Sequence, residues 1–267
     1  MYSFTFHRPE TLRQAVNLLS KNEDAKLLAG GHTLLPTMKL RLASPPVLID
    51  ISRIEGLAGI ELGSRALTIG AMTRHVEVHT SPVVQQAVPV IAKLAGMIGD
   101  PAVRHMGTIG GSIANNDPTA DYPAACLGLG ATIITNKRRI KADDFFTGMF
   151  STALEPAEII TKVSFPIPKK AAYQKFRNQA SRYALVGVFV AKRGGDIRVA
   201  VTGASGNGVF RVAAFEDALK KRFSPKSLEG LTVAADGLNS DIHGSAEYRA
   251  HLIGVLARRA VAEAIGK

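Results

Sequence analysis

Two glycine-rich segments carry the residue types in this 267-residue sequence that are best suited to binding an anion. In the first, adjacent glycines permit positive φ and let a bulky anion approach the main chain, whose N–H groups and helix dipole favour negative charge. Its Thr33 hydroxyl can cap the following helix or donate to a phosphate. Because the GxGxxG spacing and the P-loop lysine are both missing, a tight turn before a capped helix is an equally good interpretation. The segment reads Leu28-Ala29-Gly30-Gly31-His32-Thr33-Leu34.

The second segment, residues 104–121, is longer and richer in polar groups. Its glycines let the backbone wrap a phosphate, and Thr108 and Ser112 add hydroxyl donors. Asp121 only accepts hydrogen bonds when it is ionised, which suits sugar hydroxyls rather than phosphates. Two separated phosphate-binding segments and one sugar-binding carboxylate together predict a dinucleotide that spans both segments.

The sequence offers little that would bind a metal. Cys126 is the single cysteine, so it can neither form an internal disulfide nor hold an iron–sulfur cluster that needs four thiolates. Its apolar neighbours predict a buried and unreactive side chain. Asp117 and Asp121 are separated by a proline and have no third ligand nearby, which argues against a cation site. Any electron transfer would therefore use an organic cofactor or a metal on a partner protein.

The formal net charge of +11 raises the question of nucleic acid binding. The densest basic groups, residues 137–139 and 220–222, are short and lack interleaved aromatic residues. We therefore expect a solvated basic surface or one that docks an acidic partner, and nucleic acid remains a minor alternative. No apolar run approaches the roughly 18 residues that span a bilayer, and residues 1–9 lack a signal-peptide pattern. We expect a cytoplasmic protein.

The first fifty residues alternate between helix and strand patterns. Apolar spacing predicts helices at 11–21 and 34–42 and strands at 26–28 and 47–51. Strand, helix and strand in such close succession indicate a small parallel sheet with a crossover helix.

The rest of the sequence divides near residues 166–172, where Pro166 and Pro168 predict a stiff, extended link. The pattern is that of an α+β protein, with domains at 1–168 and 172–267 and subdomains of the first at about 1–52 and 53–168. Predicted strands are 66–70, 131–135, 158–165, 173–176, 184–191 and 197–202, and predicted helices are 73–79, a helix from Pro82 that Pro89 kinks or splits, 214–222 and 246–265.

At residues 29–36 and 107–111 the sequence closely resembles the FAD-binding medium subunit of the molybdenum hydroxylases, the group that includes xanthine dehydrogenase and aerobic carbon monoxide dehydrogenase. Weaker similarity lies at residues 173–176 and 246–249, and the resemblance is nearest to the carbon monoxide dehydrogenase medium subunit. It implies a vanillyl-alcohol-oxidase-type FAD-binding domain, with a small parallel sheet and a larger mixed or antiparallel sheet. A C-terminal domain of antiparallel sheet and helix would follow.

The resemblance also implies roles for individual residues. The two glycine-rich segments would hold the FAD pyrophosphate, and Asp121 would contact the adenosine side. Lys175 and Tyr183 match positions near the flavin, with the tyrosine against the isoalloxazine ring. No residue is expected to be catalytic or to bind a metal. The implied cofactor-binding residues are Ala29, Gly30, Gly31, His32, Thr33, Leu34, Thr108, Ile109, Gly110, Gly111, Ser112, Asp121, Lys175 and Tyr183.

The leading hypothesis is an electron-transfer FAD subunit of a molybdenum-containing hydroxylase or dehydrogenase. The resemblance implies a large subunit with the molybdenum cofactor, a small subunit with [2Fe–2S] clusters, a dimer of heterotrimers and an external electron acceptor. A self-sufficient FAD oxidase or reductase is the alternative, and a non-redox nucleotide- or nucleic-acid-binding protein is a minor one. Bulky substitutions of Gly110 or Gly111 are expected to abolish FAD retention.

Overall fold

The computed structural model describes residues 1–266, and its N-terminal part is a three-stranded parallel sheet in the order β1-β3-β2. The predicted parallel sheet is confirmed. The β1 strand joins it although the sequence did not predict it, because its residues are mostly exposed and show no apolar pattern. The elements are β1 (Thr5–His7), α1 (Leu12–Lys21), β2 (Lys26–Leu28), α2 (Leu34–Lys39) and β3 (Val47–Asp50).

The two helices of this part differ in how well their ends follow from the sequence. Thr11 caps α1, because its hydroxyl accepts the Gln14 N–H while the Gln14 side chain accepts the Thr11 N–H. The α2 helix ends at Lys39, three residues before the predicted end at Leu42. Arg41 adopts a φ of 61°, a left-handed conformation that ends a helix.

The middle part is built on a five-stranded antiparallel sheet in the order β4-β5-β10-β6-β7. As predicted, Ser81 caps one short helix and Pro89 begins the next. The elements are β4 (Ile60–Leu62), β5 (Ala66–Gly70), α3 (His75–Thr80), α4 (Pro82–Ala87), α5 (Pro89–Gly96), α6 (Pro101–Met106), α7 (Ile109–Asn115), α8 (Tyr122–Leu129), β6 (Thr132–Thr135), β7 (Arg139–Lys141), α9 (Ala142–Phe145), β8 (Phe146–Gly148), β9 (Ser151–Thr152) and β10 (Ile160–Pro166).

The C-terminal part is a four-stranded antiparallel sheet in the order β11-β12-β13-β14, with α11 packed on one face. The predicted hairpin joins β12 to β13, with Gly194 at a φ of 61° in the turn. The elements are β11 (Lys170–Arg177), β12 (Ala184–Arg193), β13 (Asp196–Thr202), β14 (Phe210–Arg211), α10 (Ala213–Lys221), a 3₁₀ turn (Pro225–Leu228) and α11 (Ala246–Ala264).

The α8 helix lies between the two antiparallel sheets, and every one of its residues is buried. Tyr173 and Phe189 of the C-terminal sheet belong to the same apolar core as Tyr122 of α8 and Leu67 of β5. The predicted burial of Cys126, also on α8, is confirmed, and burial raises the pKa of its thiol. None of the helices within residues 1–266 combines the length and apolar composition that crossing a bilayer requires.

Candidate cofactor site

The first glycine-rich segment connects β2 to α2 and leaves a run of backbone donors free. Gly31 has a φ of 72°, a conformation that favours glycine. Within residues 1–266, the N–H groups of residues 30–34 donate no hydrogen bond to the protein. The Thr33 hydroxyl likewise does not cap α2. These donors, at the positive end of a helix, are therefore available to an anion.

Gly30 is needed for a different reason, which is the close approach of the two glycine-rich segments. A Cβ atom at this position would lie 2.2 Å from the Met106 carbonyl oxygen and 2.7 Å from the Gly107 Cα. Any side chain here would push the segments apart. The glycine thus brings the free donors of the first segment against the second.

The second segment folds into the short helix α7, and its backbone donors are largely used inside the protein. The Ile109 N–H donates to the Thr73 carbonyl at 3.1 Å, and the Gly110 N–H donates to the Ala71 carbonyl at 2.8 Å. The Gly111 N–H donates to the Thr108 hydroxyl at 3.2 Å. The expectation of a backbone that wraps a phosphate therefore needs correction here, because these three N–H groups already have acceptors. Hydroxyl hydrogens remain, since a hydroxyl can accept and donate at once.

The two segments border a cleft of about 810 Å³, within the size range of small-molecule and cofactor sites. Ile109 does not line it, because its side chain is fully buried in the core. The other predicted residues all line the cleft: Ala29, Gly30, Gly31, His32, Thr33, Leu34, Thr108, Gly110, Gly111, Ser112, Asp121, Lys175 and Tyr183.

Asp121 and Lys175 form a buried ion pair on the cleft wall. The Lys175 Nζ lies 2.8 Å from the Asp121 Oδ2, and the Tyr173 hydroxyl donates to the Asp121 Oδ1 at 2.5 Å. Burial raises the pKa of Asp121, while the Lys175 ammonium and the hydrogen bonds from Lys175 and Tyr173 act in the opposite direction. Both carboxylate oxygens are thus engaged by strand β11.

Tyr183 reaches the cleft from a turn that precedes β12, with half of its surface exposed. The Asn178 side chain accepts the N–H groups of Ala180 and Ser181, and Arg182 adopts a φ of 62°. Partial burial raises the pKa of the Tyr183 phenol, and the charges of two nearby aspartates add to this rise. The ring is therefore a neutral aromatic surface, which suits stacking on a planar ligand.

His75 is a cleft residue that the sequence analysis did not identify. It is buried, its ring centroid lies 5.4 Å from that of Tyr122, and its Nδ1 has no hydrogen-bond partner within residues 1–266. Burial lowers its pKa from 6.5 to about 4, and the nearby charges of His32 and Arg104 add to the effect. No sequence signal marks this residue, because its environment is created by packing.

Phe150 is a second such residue, at the tip of the β8–β9 hairpin. It lines the cleft, is largely exposed and has a φ of 51°, which is unusual for a bulky residue. The Asn116 side-chain amide donates to the carbonyls of Gly148 and Ser151 at 2.8 Å each, and the Phe150 N–H donates to the Asn116 carbonyl. The C-cap residue of α7 thereby fixes the backbone of the hairpin that carries this aromatic ring.

The arrangement suits an organic ligand with an anionic group and apolar rings. The residues with free backbone donors line the cleft, and so do apolar side chains such as Met72, Ile98 and Leu154. Within residues 1–266, no group of three or more His, Cys, Asp and Glu side chains is placed to hold a metal ion. A dinucleotide fits this chemistry better than a metal ion or a small polar substrate does.

Two family comparisons cover most of the chain. Residues 2–168 match the family described as the FAD binding domain in molybdopterin dehydrogenase. Residues 171–264 match the family described as the CO dehydrogenase flavoprotein C-terminal domain.

Individual relatives match over nearly their full lengths. The chain is 38% identical to the nicotine 6-hydroxylase medium subunit of Paenarthrobacter nicotinovorans, over 96% of this chain and 95% of that protein. It is 36% identical to the carbon monoxide dehydrogenase medium chain of Hydrogenophaga pseudoflava, over 97% of this chain and 96% of that protein.

Solved structures agree with these sequence matches. Carbon monoxide dehydrogenase from Hydrogenophaga pseudoflava, in a form that lacks the Mo-pyranopterin moiety of the molybdenum cofactor, matches with a TM-score of 0.91 and 37% identity over 99% of this chain and 98% of that one. Quinoline 2-oxidoreductase from Pseudomonas putida 86 matches with a TM-score of 0.87 and 30% identity over 98% and 97%. The chain therefore belongs to the family of FAD-binding medium subunits of the molybdenum hydroxylases.

Proposed function

We propose that this protein binds FAD in the cleft and passes electrons from the [2Fe–2S] clusters of a partner subunit to an external acceptor. The observation that carries the proposal is the run of free N–H donors at residues 30–34, beside a cleft large enough for a dinucleotide. FAD supplies the reversible redox chemistry, and the chain contributes binding, orientation and electrostatics.

The free donors of residues 30–34 hold the pyrophosphate in this proposal, with the hydroxyls of Thr108 and Ser112 opposite them. Tyr183 and Lys175 lie beside the flavin. Support for this orientation comes from Tyr183, whose half-exposed ring lines the cleft and lies close enough to Asp121, the partner of Lys175, to be affected by its charge. None of these groups needs to transfer a proton, since their roles are to bind and orient.

The partners in this proposal are a large molybdenum-cofactor subunit and a small [2Fe–2S] subunit, assembled as a dimer of heterotrimers in the cytoplasm. Support for a larger and a smaller partner subunit comes from the relatives named above, two of which are a medium subunit and a medium chain. A protein of this kind needs a surface for the iron–sulfur subunit and an opening for the acceptor. The substrate pocket would lie on the large subunit.

The test is to purify the protein from its native source and identify the cofactor released by heat. We expect about one FAD per chain, together with iron and molybdenum on larger subunits that co-purify. FAD on a solitary chain that turns over a small substrate would instead establish a self-sufficient flavoenzyme. A protein that neither contains FAD nor binds added FAD would overturn the proposal.

A further inference from the structure

A buried polar network joins the cleft to the C-terminal sheet through three side chains that are far apart in sequence. Tyr173 and Lys175 lie two residues apart on β11 and therefore on the same face of that strand. Asp121 immediately precedes α8 and lies 52 and 54 residues from them. The Lys175 and Asp121 side chains are only 1% and 5% exposed.

The hydrogen bonds of this network leave little freedom for Asp121. One carboxylate oxygen accepts from Tyr173 and the other from Lys175. Lys175 also donates to the Met97 carbonyl at 3.3 Å, which leaves one of the three ammonium hydrogens without a protein acceptor within residues 1–266. Both oxygens of the Asp121 carboxylate are thus hydrogen-bonded within the protein. The Lys175 ammonium still has one N–H free to donate, and Lys175 lines the cleft.

Stability alone does not account for such a pair. The free-energy cost of desolvating two charges is about as large as the gain from their attraction. Well-packed apolar residues in the same place often stabilise a protein equally well or better. Charges that are buried beside a ligand act on it strongly, because the low local dielectric screens them poorly. A charged pair on the wall of a redox cofactor's cleft therefore has an effect that an apolar pair would lack.

We propose that the Asp121–Lys175 pair sets the reduction potential of the bound cofactor, with Tyr173 as a positioning residue that keeps the Asp121 carboxylate ionised and in place. Asp121 then acts as the counter-ion of Lys175 and not as a ligand of the adenosine sugar. This inference rests on the proposed function, since it requires FAD in the cleft with its flavin near Lys175.

The proposal predicts that substitutions of the two charged residues shift the reduction potential in opposite directions. Reduction adds electrons to the cofactor, so a neighbouring positive charge raises the reduction potential and a negative charge lowers it. Asp121→Asn leaves the ammonium uncompensated and should raise the potential. Lys175→Met removes the positive charge and should therefore lower the potential. Loosening of the structure would give no such reversal of sign.

Tyr173→Phe provides a milder test that retains both charged residues. Without the phenol, the carboxylate loses a donor that favours its ionised form, and burial already raises the pKa of Asp121. The potential should therefore move in the same direction as in Asp121→Asn, by a smaller amount. Lys175→Arg retains the positive charge and should keep the potential closer to wild type than Lys175→Met does.

Glu216→Gln is the matched control, because it also neutralises a buried carboxylate that pairs with a cation. Glu216 lies 2.7 Å from Arg211 in the C-terminal part and does not line the cleft. This variant should lose stability but leave the potential of the cofactor unchanged.

The experiment is a spectroelectrochemical titration of the FAD bound to the assembled wild-type complex and to each variant. We expect Asp121→Asn and Lys175→Met each to change the equilibrium constant for two-electron reduction about tenfold, which is about 30 mV, in opposite directions. Shifts of the same sign, or none while FAD stays bound, would overturn the proposal and leave FAD binding intact as the function.

Three further outcomes are decisive. If Asp121→Asn and Lys175→Met each lose their FAD, the test depends on the other two variants. A reduction potential that rises in Tyr173→Phe and stays at the wild-type value in Glu216→Gln supports the proposal. A wild-type potential in both variants overturns it. If the variants weaken FAD affinity without moving the potential, Asp121 contacts another part of the cofactor and the inference fails. A wild-type complex without FAD would overturn both the inference and the proposed function.

Discussion

At the scale of single residues, the cleft shows three ways in which the fold controls charge. Lys175 is paired with Asp121, His75 loses its charge through burial, and the N–H groups of residues 30–34 offer partial positive charge without any ionised group. An anionic cofactor can therefore be held by backbone donors. The side-chain charges remain free to tune its properties.

The lowered pKa of His75 predicts that the free energy of unfolding depends on pH. Its pKa is 6.5 in an ordinary environment and about 4 in the folded protein, so between these values the unfolded chain binds a proton that the folded chain does not. The free energy of unfolding should therefore fall as pH falls through this window, by about 3 kcal/mol in total from this residue. Urea unfolding without FAD, near neutral pH and near pH 4, measures the change. His75→Phe should remove most of the pH dependence that His75 contributes. If the pH dependence were the same in this variant, His75 would not be its source.

At the scale of elements, α7 shows that neighbouring glycines can be required for different reasons. A Cβ at Gly110 would lie 2.5 Å from the Ala71 Cβ and 2.7 Å from the Ala71 carbonyl oxygen, so this glycine lets α7 pack against the end of β5. A Cβ at Gly111 would lie 3.0 Å from the Thr108 hydroxyl and 3.6 Å from the Ala29 Cβ, between the two glycine-rich segments. The first glycine serves packing, and the second keeps the cleft open.

Substitutions of the two glycines should therefore have different effects on stability and on FAD binding. Gly110→Ala should lower the free energy of unfolding by about 2 kcal/mol, because the added methyl group overpacks the contact with Ala71. Gly111→Val should bind FAD much more weakly with a smaller loss of stability, because its side chain occupies the gap between the segments. Thermal unfolding of the chain without cofactor and a fluorescence titration with FAD measure the two effects.

Gly254→Ala is the control for these variants, since a Cβ there has no neighbour closer than 3.6 Å and the residue lies inside α11. Alanine should leave FAD binding unchanged and stabilise the helix slightly. Normal FAD affinity in Gly111→Val would rule out the assigned position of this residue between the segments.

At the scale of the whole molecule, the C-terminal sheet completes both the core and the cleft. One face of the sheet covers α8 and the other packs against α11, while Lys175 and Tyr183 add a wall to the cleft. Residues 2–168 and residues 171–264 match two different families, yet side chains from both ranges belong to one apolar core. The division into domains at 168 and 172 remains a prediction, and the shared core argues that the two parts depend on each other.

A fragment of residues 1–168 should therefore neither fold stably nor bind FAD. Its α8 helix, which contacts β12 and β13 in the intact chain, would expose apolar surface that the C-terminal sheet now covers. Size-exclusion chromatography, near-ultraviolet circular dichroism and FAD titration measure the result. Full-length protein cut at an engineered protease site at 167–169 is the control, and it should stay associated and bind FAD. A monomeric, FAD-binding 1–168 fragment would show that the parts are independent.

The sequence alone determined much of the local structure. Proline after serine at residues 81–82 marked a capped helix, Pro89 marked a helix boundary, and the glycine pair at 194–195 marked a hairpin, because each pattern acts through neighbours in the chain. The two glycine-rich motifs likewise located two parts of the cleft lining and the family. The sequence did not predict elements whose local pattern is weak, such as the mostly exposed strand β1 and the left-handed end of α2.

Only the tertiary structure decided what the site residues do. Asp121 carries the same carboxylate wherever the chain places it, but packing against β11 makes it the partner of Lys175 and Tyr173. Gly110 and His75 acquire their roles from contacts with Ala71 and from burial beside Tyr122. Such roles depend on groups brought together from distant parts of the chain and on the water that packing removes. No pattern among neighbouring residues specifies either of these.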